Sequence, residues 1–164
     1  MLNDTIRKSL IRLRKEYILC SRDDDMSQMG FTVGMDDIFN WKAAMVGPRD
    51  TPYANGMFFM KILFTNDYPA HGPIFRFVNK IYHLNVNPKD GMISLNHLNE
   101  WHLTGKVTGK PIYSVKQALF DIFCLFYKQN PNNAFNKEMA YQYIHEREKF
   151  DAEAKRWNEM FAKF

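Results

Sequence analysis

The chain has 164 residues and a mass of 19.4 kDa, which fits one domain better than two. Hydrophobic residues make up 46% and charged residues 24%, a composition that excludes a disordered chain. The net charge of +4 is too small for a nucleic-acid-binding tail, and no apolar run approaches the ~20 residues of a membrane span. We therefore expect a single domain over residues 1–164, with neither nucleic acid nor membrane as a partner.

Cysteines and histidines that could build metal or redox sites are present, but not in the required spacings. Cys20 and Cys124 cannot form a disulfide framework and lie in no metal-binding motif, which is typical of a reducing compartment. Both lie in or beside helical apolar patterns, and we interpret them as inert packing residues. The histidines lack metal-ligand spacing, and GxGxxG, Walker, HExxH and GxSxG motifs are absent. The sequence therefore predicts no metal site.

The first predicted element is an amphipathic helix over residues 6–17. Its apolar residues recur at spacings of four, three and four from Ile6 to Tyr17, which places them on one stripe. Asp23-Asp24-Asp25 then predicts a polar turn. The opposite face is either ordinary solvated surface or a docking surface for an acidic partner. That face carries five basic residues: Arg7, Lys8, Arg12, Arg14 and Lys15.

A strand-rich stretch follows the helix. Candidate strands lie at residues 31–33, 38–46, 57–64 and 74–78. Turn signals at Gly47-Pro48 and Asn55-Gly56 predict that residues 38–64 form an antiparallel hairpin. The period of two directs one set of side chains in the third strand toward the core. That set is Phe58, Met60, Ile62 and Phe64.

Residues 79–111 show no periodicity, and a loop of this length in a compact domain is usually functional. Beyond it the chain is helical. Ser114 and Gln117 form a capping-box pattern before the apolar stripe that ends at Phe126, and a final helical region carries Phe150, Ala154, Trp157 and Phe161. Strands grouped together and followed by helices predict an α+β fold.

Residues 80–101 read KIYHLNVNPKDGMISLNHLNEW. This stretch resembles the active-site segment of ubiquitin-conjugating enzymes, in which a His-Pro-Asn tripeptide precedes the catalytic cysteine. The resemblance implies the fold of that family, with an N-terminal helix, a four-stranded antiparallel meander, a long active-site loop and C-terminal helices. Further matches occur in the same order along nearly the whole chain, at 36–41, 47–48, 51–53, 56–59, 67–69, 72–73, Trp101, 130–131 and 155–157.

The resemblance implies two acyl transfers. A cysteine thiolate accepts the C-terminal glycine of ubiquitin or a ubiquitin-like modifier from the activating enzyme, and the amine of a substrate lysine then attacks the thioester, with a ubiquitin ligase as a further partner. It also implies a monomer in the cytoplasm and nucleus. No cofactor of its own is expected, because the activating enzyme consumes the ATP.

The chain departs from the family at the nucleophile itself. Ser94 stands where the catalytic cysteine is expected, and Leu84 replaces the proline of the tripeptide. Because a serine hydroxyl is hardly ionised without a base, Ser94 can at best hold the modifier as an ester that is slowly made and slowly discharged. Either Ser94 replaces a native cysteine, or the chain is an inactive variant that binds ubiquitin or a partner enzyme. The retained Asn85 favours an active parent. A serine hydrolase ranks far below both, because no base or nucleophile elbow supports it.

Other positions acquire roles from the resemblance. Asn85 is the candidate oxyanion stabiliser, although an asparagine can also simply tie a loop together through backbone bonds. His83 is expected to support the loop. Asn96 and Asn133 occupy positions where many members carry aspartate. Their amides can orient an incoming lysine but cannot take its proton.

The resemblance also implies docking surfaces. Arg7, Lys8 and Arg12 on the basic helix face are expected to meet the activating enzyme. Ala70, His71 and Leu103 lie on two loops that ligases usually contact, but both loops are atypical here, so no ligase class is predicted. An insertion at 102–111 has no predicted role.

Overall fold

A computed structural model describes residues 3–99, 101 and 114–163. Leu103 and the 102–111 insertion therefore lie outside the described residues. Within the described ranges, no helix combines the length and the hydropathy needed to cross a membrane.

The chain begins with a longer helix than the periodicity predicts. Helix α1 spans Asp4–Arg22, and Asn3 caps it by accepting a hydrogen bond from the Thr5 N–H at 3.0 Å. Asp23 ends α1 and caps a second helix, α2 (Asp24–Gln28), by accepting from the Met26 N–H. The acidic run predicted as a turn is therefore a helix junction, because its first carboxylate satisfies an N–H group at the start of α2.

Four antiparallel strands form one sheet in the order β1-β2-β3-β4, so the predicted meander is confirmed. The strands are β1 (Phe31–Asp37), β2 (Asn40–Val46), β3 (Met57–Leu63) and β4 (Ile74–Phe77). In β3 the predicted alternation holds, since Phe58, Met60 and Ile62 are buried while Phe59 and Lys61 are exposed. Strand β1 is longer than predicted, because β2 supplies partners as far as Asp37.

Aromatic rings fill the space between the sheet and the helices. Phe58 lies 5.3 Å from Phe126 and 6.2 Å from Tyr53 between ring centroids, and Phe77 also faces it. Trp41 lies close to Phe64 at 4.6 Å. Burying rings of this size supplies much of the hydrophobic stabilisation, and edge-to-face contacts add to it.

Helices complete the fold. Helix α3 (Asn96–Asn99) is short, and α4 (Val115–Tyr127) begins as predicted, with Ser114 Oγ accepting the Gln117 N–H at 3.1 Å. The final helical region is two helices, α5 (Lys137–His145) and α6 (Arg147–Phe161), which meet at Glu146. In α6, Phe150 and Ala154 are buried as predicted, whereas Phe161 is 37% exposed.

A buried carboxylate joins three parts of the fold. Glu16 of α1 accepts a hydrogen bond from the Tyr68 hydroxyl at 2.7 Å and from the Val115 N–H at 3.1 Å through Oε2. Its Oε1 accepts from Arg12 at 2.6 Å. Burial, and to a lesser extent the Glu16 carboxylate, raises the pKa of Tyr68. Glu16 thus fixes α1 against the loop after β3 and the start of α4.

Candidate active site

Ser94 is held by the backbone on both sides. Its N–H donates to Asn85 O at 2.8 Å, and the preceding Ile93 N–H donates to Phe75 O of β4 at 3.1 Å. Val86 and Ile93 form an isolated antiparallel bridge. Ser94, which is partly exposed, is therefore attached to the edge of the sheet although its loop has no periodicity.

A tight turn separates Asn85 from Ser94. The Gly91 N–H donates to Asn87 O, and the Asn87 N–H donates to Met92 O, both at 2.8 Å. Gly91 has φ +74°, and a Cβ there would lie 2.0 Å from Phe77 O. Because side chains rarely adopt that φ and none fits against that carbonyl, the position requires glycine.

His83 is buried, and both its ring nitrogens are hydrogen-bonded to the backbone. Its Nδ1 accepts the Asn85 N–H at 3.0 Å, so the neutral ring carries its proton on Nε2 and donates to Leu125 O at 3.1 Å. Burial lowers the pKa of His83 to about 4. With both nitrogens bonded, the ring cannot serve as a base toward Ser94.

This neutral histidine gives a pH prediction. The pKa of His83 is about 4 in the folded chain and about 6.5 in the unfolded chain. The contribution of neutral His83 to the free energy of unfolding is therefore complete above pH 6.5. It is lost as the pH falls toward 4, because over that range the unfolded chain binds a proton that the folded chain excludes. We expect the free energy of unfolding to fall by roughly 3 kcal/mol over that range from this group. Denaturant titrations at several pH values would measure it. His83→Gln should be less stable but should show a shallower pH slope; an unchanged slope would contradict the assignment.

Asn85 makes a reciprocal pair with the chain beyond α4. Its Nδ2 donates to Asn130 O at 2.8 Å, and its Oδ1 accepts the Asn130 N–H at 2.9 Å. The residue has 0% exposure. Both polar groups are therefore engaged, and the contacts are those of the loop-tying alternative rather than of a side chain that points toward solvent and substrate.

Asn96 and Asn133 come together beside Ser94. Asn96 begins α3, and Asn133 ends a short 3₁₀ turn, Pro131–Asn133. Asn133 Nδ2 donates to Asn96 Oδ1 at 2.5 Å. Two residues far apart in sequence thus form one amide pair. The pair can hold a polar group by hydrogen bonding but has no ionisable proton acceptor.

An open recess of about 350 Å³ contains the amide pair and Ser94. Its other wall is α4, which contributes residues that the sequence reasoning missed: Asp121, Cys124 and, just after the helix, Lys128. Their spacings of three and four put them on one face of α4, which borders its buried stripe at Leu125. In the sequence, this polar stripe is the pattern from which the residues of the recess wall could have been predicted. The recess is lined by Ser94, Leu95, Asn96, Asp121, Cys124, Leu125, Lys128, Asn130 and Asn133.

The two cysteines have different environments. Cys20 is buried, and burial raises its pKa to about 12, so its interpretation as an inert packing residue is confirmed. For Cys124 the same interpretation is wrong, because its side chain is exposed and lines the recess. The apolar pattern around Cys124 belongs to the opposite face of α4.

Among the described residues, no group of three or more His, Cys, Asp or Glu residues is placed to hold a metal ion.

The predicted docking residues lie in different settings. Arg7 and Lys8 are exposed on α1, and Lys8 pairs with Asp4 at 2.7 Å. Arg12 is partly buried against Glu16, so its guanidinium is engaged within the fold. Ala70 and His71 are exposed after β3. His71 hydrogen-bonds Asp67, whose pKa is lowered first by the Thr65 hydroxyl and then by His71.

Comparisons with known proteins agree with the fold. A family model described as ubiquitin-conjugating enzyme matches residues 12–158. The crystal structure of a provisionally assigned ubiquitin conjugating enzyme from Plasmodium yoelii is 29% identical, with a TM-score of 0.78 over 96% of this chain and 97% of that one. The E2 domain of a Toxoplasma gondii ubiquitin conjugating enzyme is 32% identical, with a TM-score of 0.74 over 93% and 98%.

Proposed function

Because the chain belongs to the ubiquitin-conjugating enzyme family, we propose that residue 94 is its acyl-carrying position. A cysteine-bearing form takes ubiquitin or a ubiquitin-like modifier from the activating enzyme as a thioester and passes it to a substrate lysine. The Ser94 form holds the modifier as an oxyester. The observation that supports this most directly is the setting of Ser94, which is fixed by Asn85 O at the rim of a solvent-open recess beside the Asn96–Asn133 pair.

The first step, in which the modifier is transferred from the activating enzyme, is slow with serine because the hydroxyl has to lose a proton. Ser94 Oγ attacks the thioester carbonyl on the activating enzyme, a C–O bond forms, the C–S bond breaks, and the hydroxyl proton passes to the departing thiolate. A cysteine thiol can react without a general base, because a fraction of it is already thiolate near neutral pH. The hydroxyl needs a base, and His83 is unavailable since both its nitrogens are bonded to the backbone.

In the second step, the Asn96–Asn133 pair supplies no proton acceptor. The carbonyl oxygens of Asn96 and Asn133 can accept hydrogen bonds from an incoming lysine amine and orient it. Neither amide can remove the proton that the amine must lose. Discharge to lysine should therefore be slower than with an aspartate at position 96 or 133, even in a cysteine-bearing form.

Charging with activating enzyme, ATP and ubiquitin tests the proposal. We expect Ser94→Cys to give an adduct that a thiol reductant removes. The Ser94 chain should give, much more slowly, an adduct that resists reductant and is cleaved by mild hydroxide. Because Cys124 lines the same recess, the matched control is Ser94→Cys combined with Cys124→Ser, which should still charge. Absence of a reducible adduct from both cysteine-bearing variants would overturn the proposal.

A second function is favoured by one observation, namely that Asn85 has both its polar groups bonded to the Asn130 backbone. A binding module that presents ubiquitin or a partner conjugating enzyme needs this loop tie but no oxyanion donor. That function requires measurable binding of ubiquitin or partner enzyme, with equal affinity for the Ser94 chain and Ser94→Cys and no adduct from either. A titration by calorimetry beside the charging assay separates the two functions.

A further inference from the structure

Lys128 contributes a side-chain amine to the wall of the Ser94 recess. It is the first residue after α4, and its backbone N–H donates to Cys124 O at 3.0 Å, which fixes where the side chain begins. The side chain is exposed and lines the recess with Ser94. Within the described part of the chain, its ammonium group has neither an ion pair nor a hydrogen bond. Several other lysines are paired with carboxylates: Lys8, Lys42, Lys116, Lys149 and Lys163.

We propose that Lys128 is a self-modification site, which accepts the modifier from residue 94 of its own chain. The inference rests on the proposed function of residue 94. The neutral Lys128 amine attacks the ester carbonyl, a C–N bond forms, and the C–O bond to Ser94 Oγ breaks. The proton released by nitrogen passes to the departing Ser94 oxygen. The product is an isopeptide amide, and no oxidant, reductant or cofactor is consumed.

Position within one recess is the reason for selecting Lys128. An amine attached to the same chain meets the carbonyl as an intramolecular reactant, which can replace very high concentrations of a free amine. This advantage matters here, because the Asn96–Asn133 pair offers a lysine from solution no proton acceptor. An ester on Ser94 that is slow to discharge elsewhere remains in place long enough for a neighbouring amine to attack it.

The test uses the full chain with activating enzyme, ATP and lysine-free ubiquitin, so that ubiquitin itself cannot be an acceptor. After treatment with reductant and mild hydroxide, we expect an adduct that resists both, mapped to Lys128 by mass spectrometry. Lys128→Arg should lower that adduct at least tenfold and leave the hydroxide-labile ester. Lys137→Arg is the matched control, since Lys137 is also exposed, has no ion pair among the described residues and does not line the recess. It should leave the adduct unchanged.

Failures of the two proposals are distinguishable. If the labile ester forms but the resistant adduct maps to another lysine or persists in Lys128→Arg, the self-modification site is wrong and the function of residue 94 stands. If neither the Ser94 chain nor Ser94→Cys is ever charged, the proposed function fails and this inference fails with it. Equal melting temperatures of the Ser94 chain and Lys128→Arg would show that the arginine variant is folded.

A mixing experiment tests whether transfer occurs within one chain. Ser94→Ala retains Lys128 but cannot be charged, whereas Lys128→Arg can be charged but lacks the acceptor. With the two variants carrying different affinity tags, we expect no resistant adduct on Ser94→Ala when they are mixed. Appearance of that adduct at Lys128 of Ser94→Ala would overturn intramolecular transfer.

Discussion

Replacement of Glu16 by alanine is expected to lower the free energy of unfolding by about 3–5 kcal/mol. The carboxylate is buried, and it accepts hydrogen bonds from Arg12, the Tyr68 hydroxyl and the Val115 N–H. Its removal leaves a backbone N–H and a phenol without their acceptor in the interior and a guanidinium without its counter-charge. Urea unfolding followed by circular dichroism measures the loss.

The matched control is Glu138→Ala, because Glu138 is an exposed carboxylate in the first turn of α5. We expect that change to stay within about 0.5 kcal/mol. Glu16→Gln should fall between the two, since an amide oxygen can still accept one of the hydrogen bonds but brings no charge for Arg12. Equal stability of Glu16→Ala and Glu138→Ala would mean that the buried network contributes nothing to folding.

The second large effect concerns two adjacent phenylalanines of β3. Phe58 is 1% exposed and faces Tyr53, Phe77 and Phe126, whereas Phe59 is 40% exposed on the other face of the sheet. We expect Phe58→Ala to cost about 3–5 kcal/mol, because it removes a buried ring and leaves a cavity.

Phe59→Ala provides the comparison within the same strand and should cost about 1 kcal/mol or less. Thermal melts of both variants, read at the same pH, separate the two effects. Equal losses would mean that the faces of β3 are assigned wrongly, since one residue of register exchanges the buried and exposed sets.

The sheet could be predicted from sequence because its signals are local. Alternation in β3 and the turn residues between β2 and β3 specify which residues face the core and which strands pair. The junction at Asp23 could not be predicted as a helix start by periodicity, because a five-residue helix is too short to show a period. There the capping carboxylate decides the structure.

The recess was harder to predict because it needs contacts between distant segments. Ser94 and Asn96 follow from the loop, but Cys124 and Lys128 reach the same recess only because α4 packs beside it. The setting of Arg12 also depends on contacts between distant segments. The helical pattern counts Glu16 as a polar surface residue, yet Tyr68 and Val115 bury it, and Arg12 is engaged with it.

The turn between Asn85 and Ser94 has a consequence for how this loop can change in length. Its hydrogen bonds join Asn87 to Gly91 and Met92, and Gly91 also accepts the Phe77 N–H of β4. Residue 94 is bonded separately to Asn85, and the tip residues Pro88 and Lys89 are exposed. Residues added at the tip lengthen a protrusion without displacing the nucleophile position. The tip is therefore a suitable insertion point for a fluorescent label or a short peptide tag that reports on charging at residue 94.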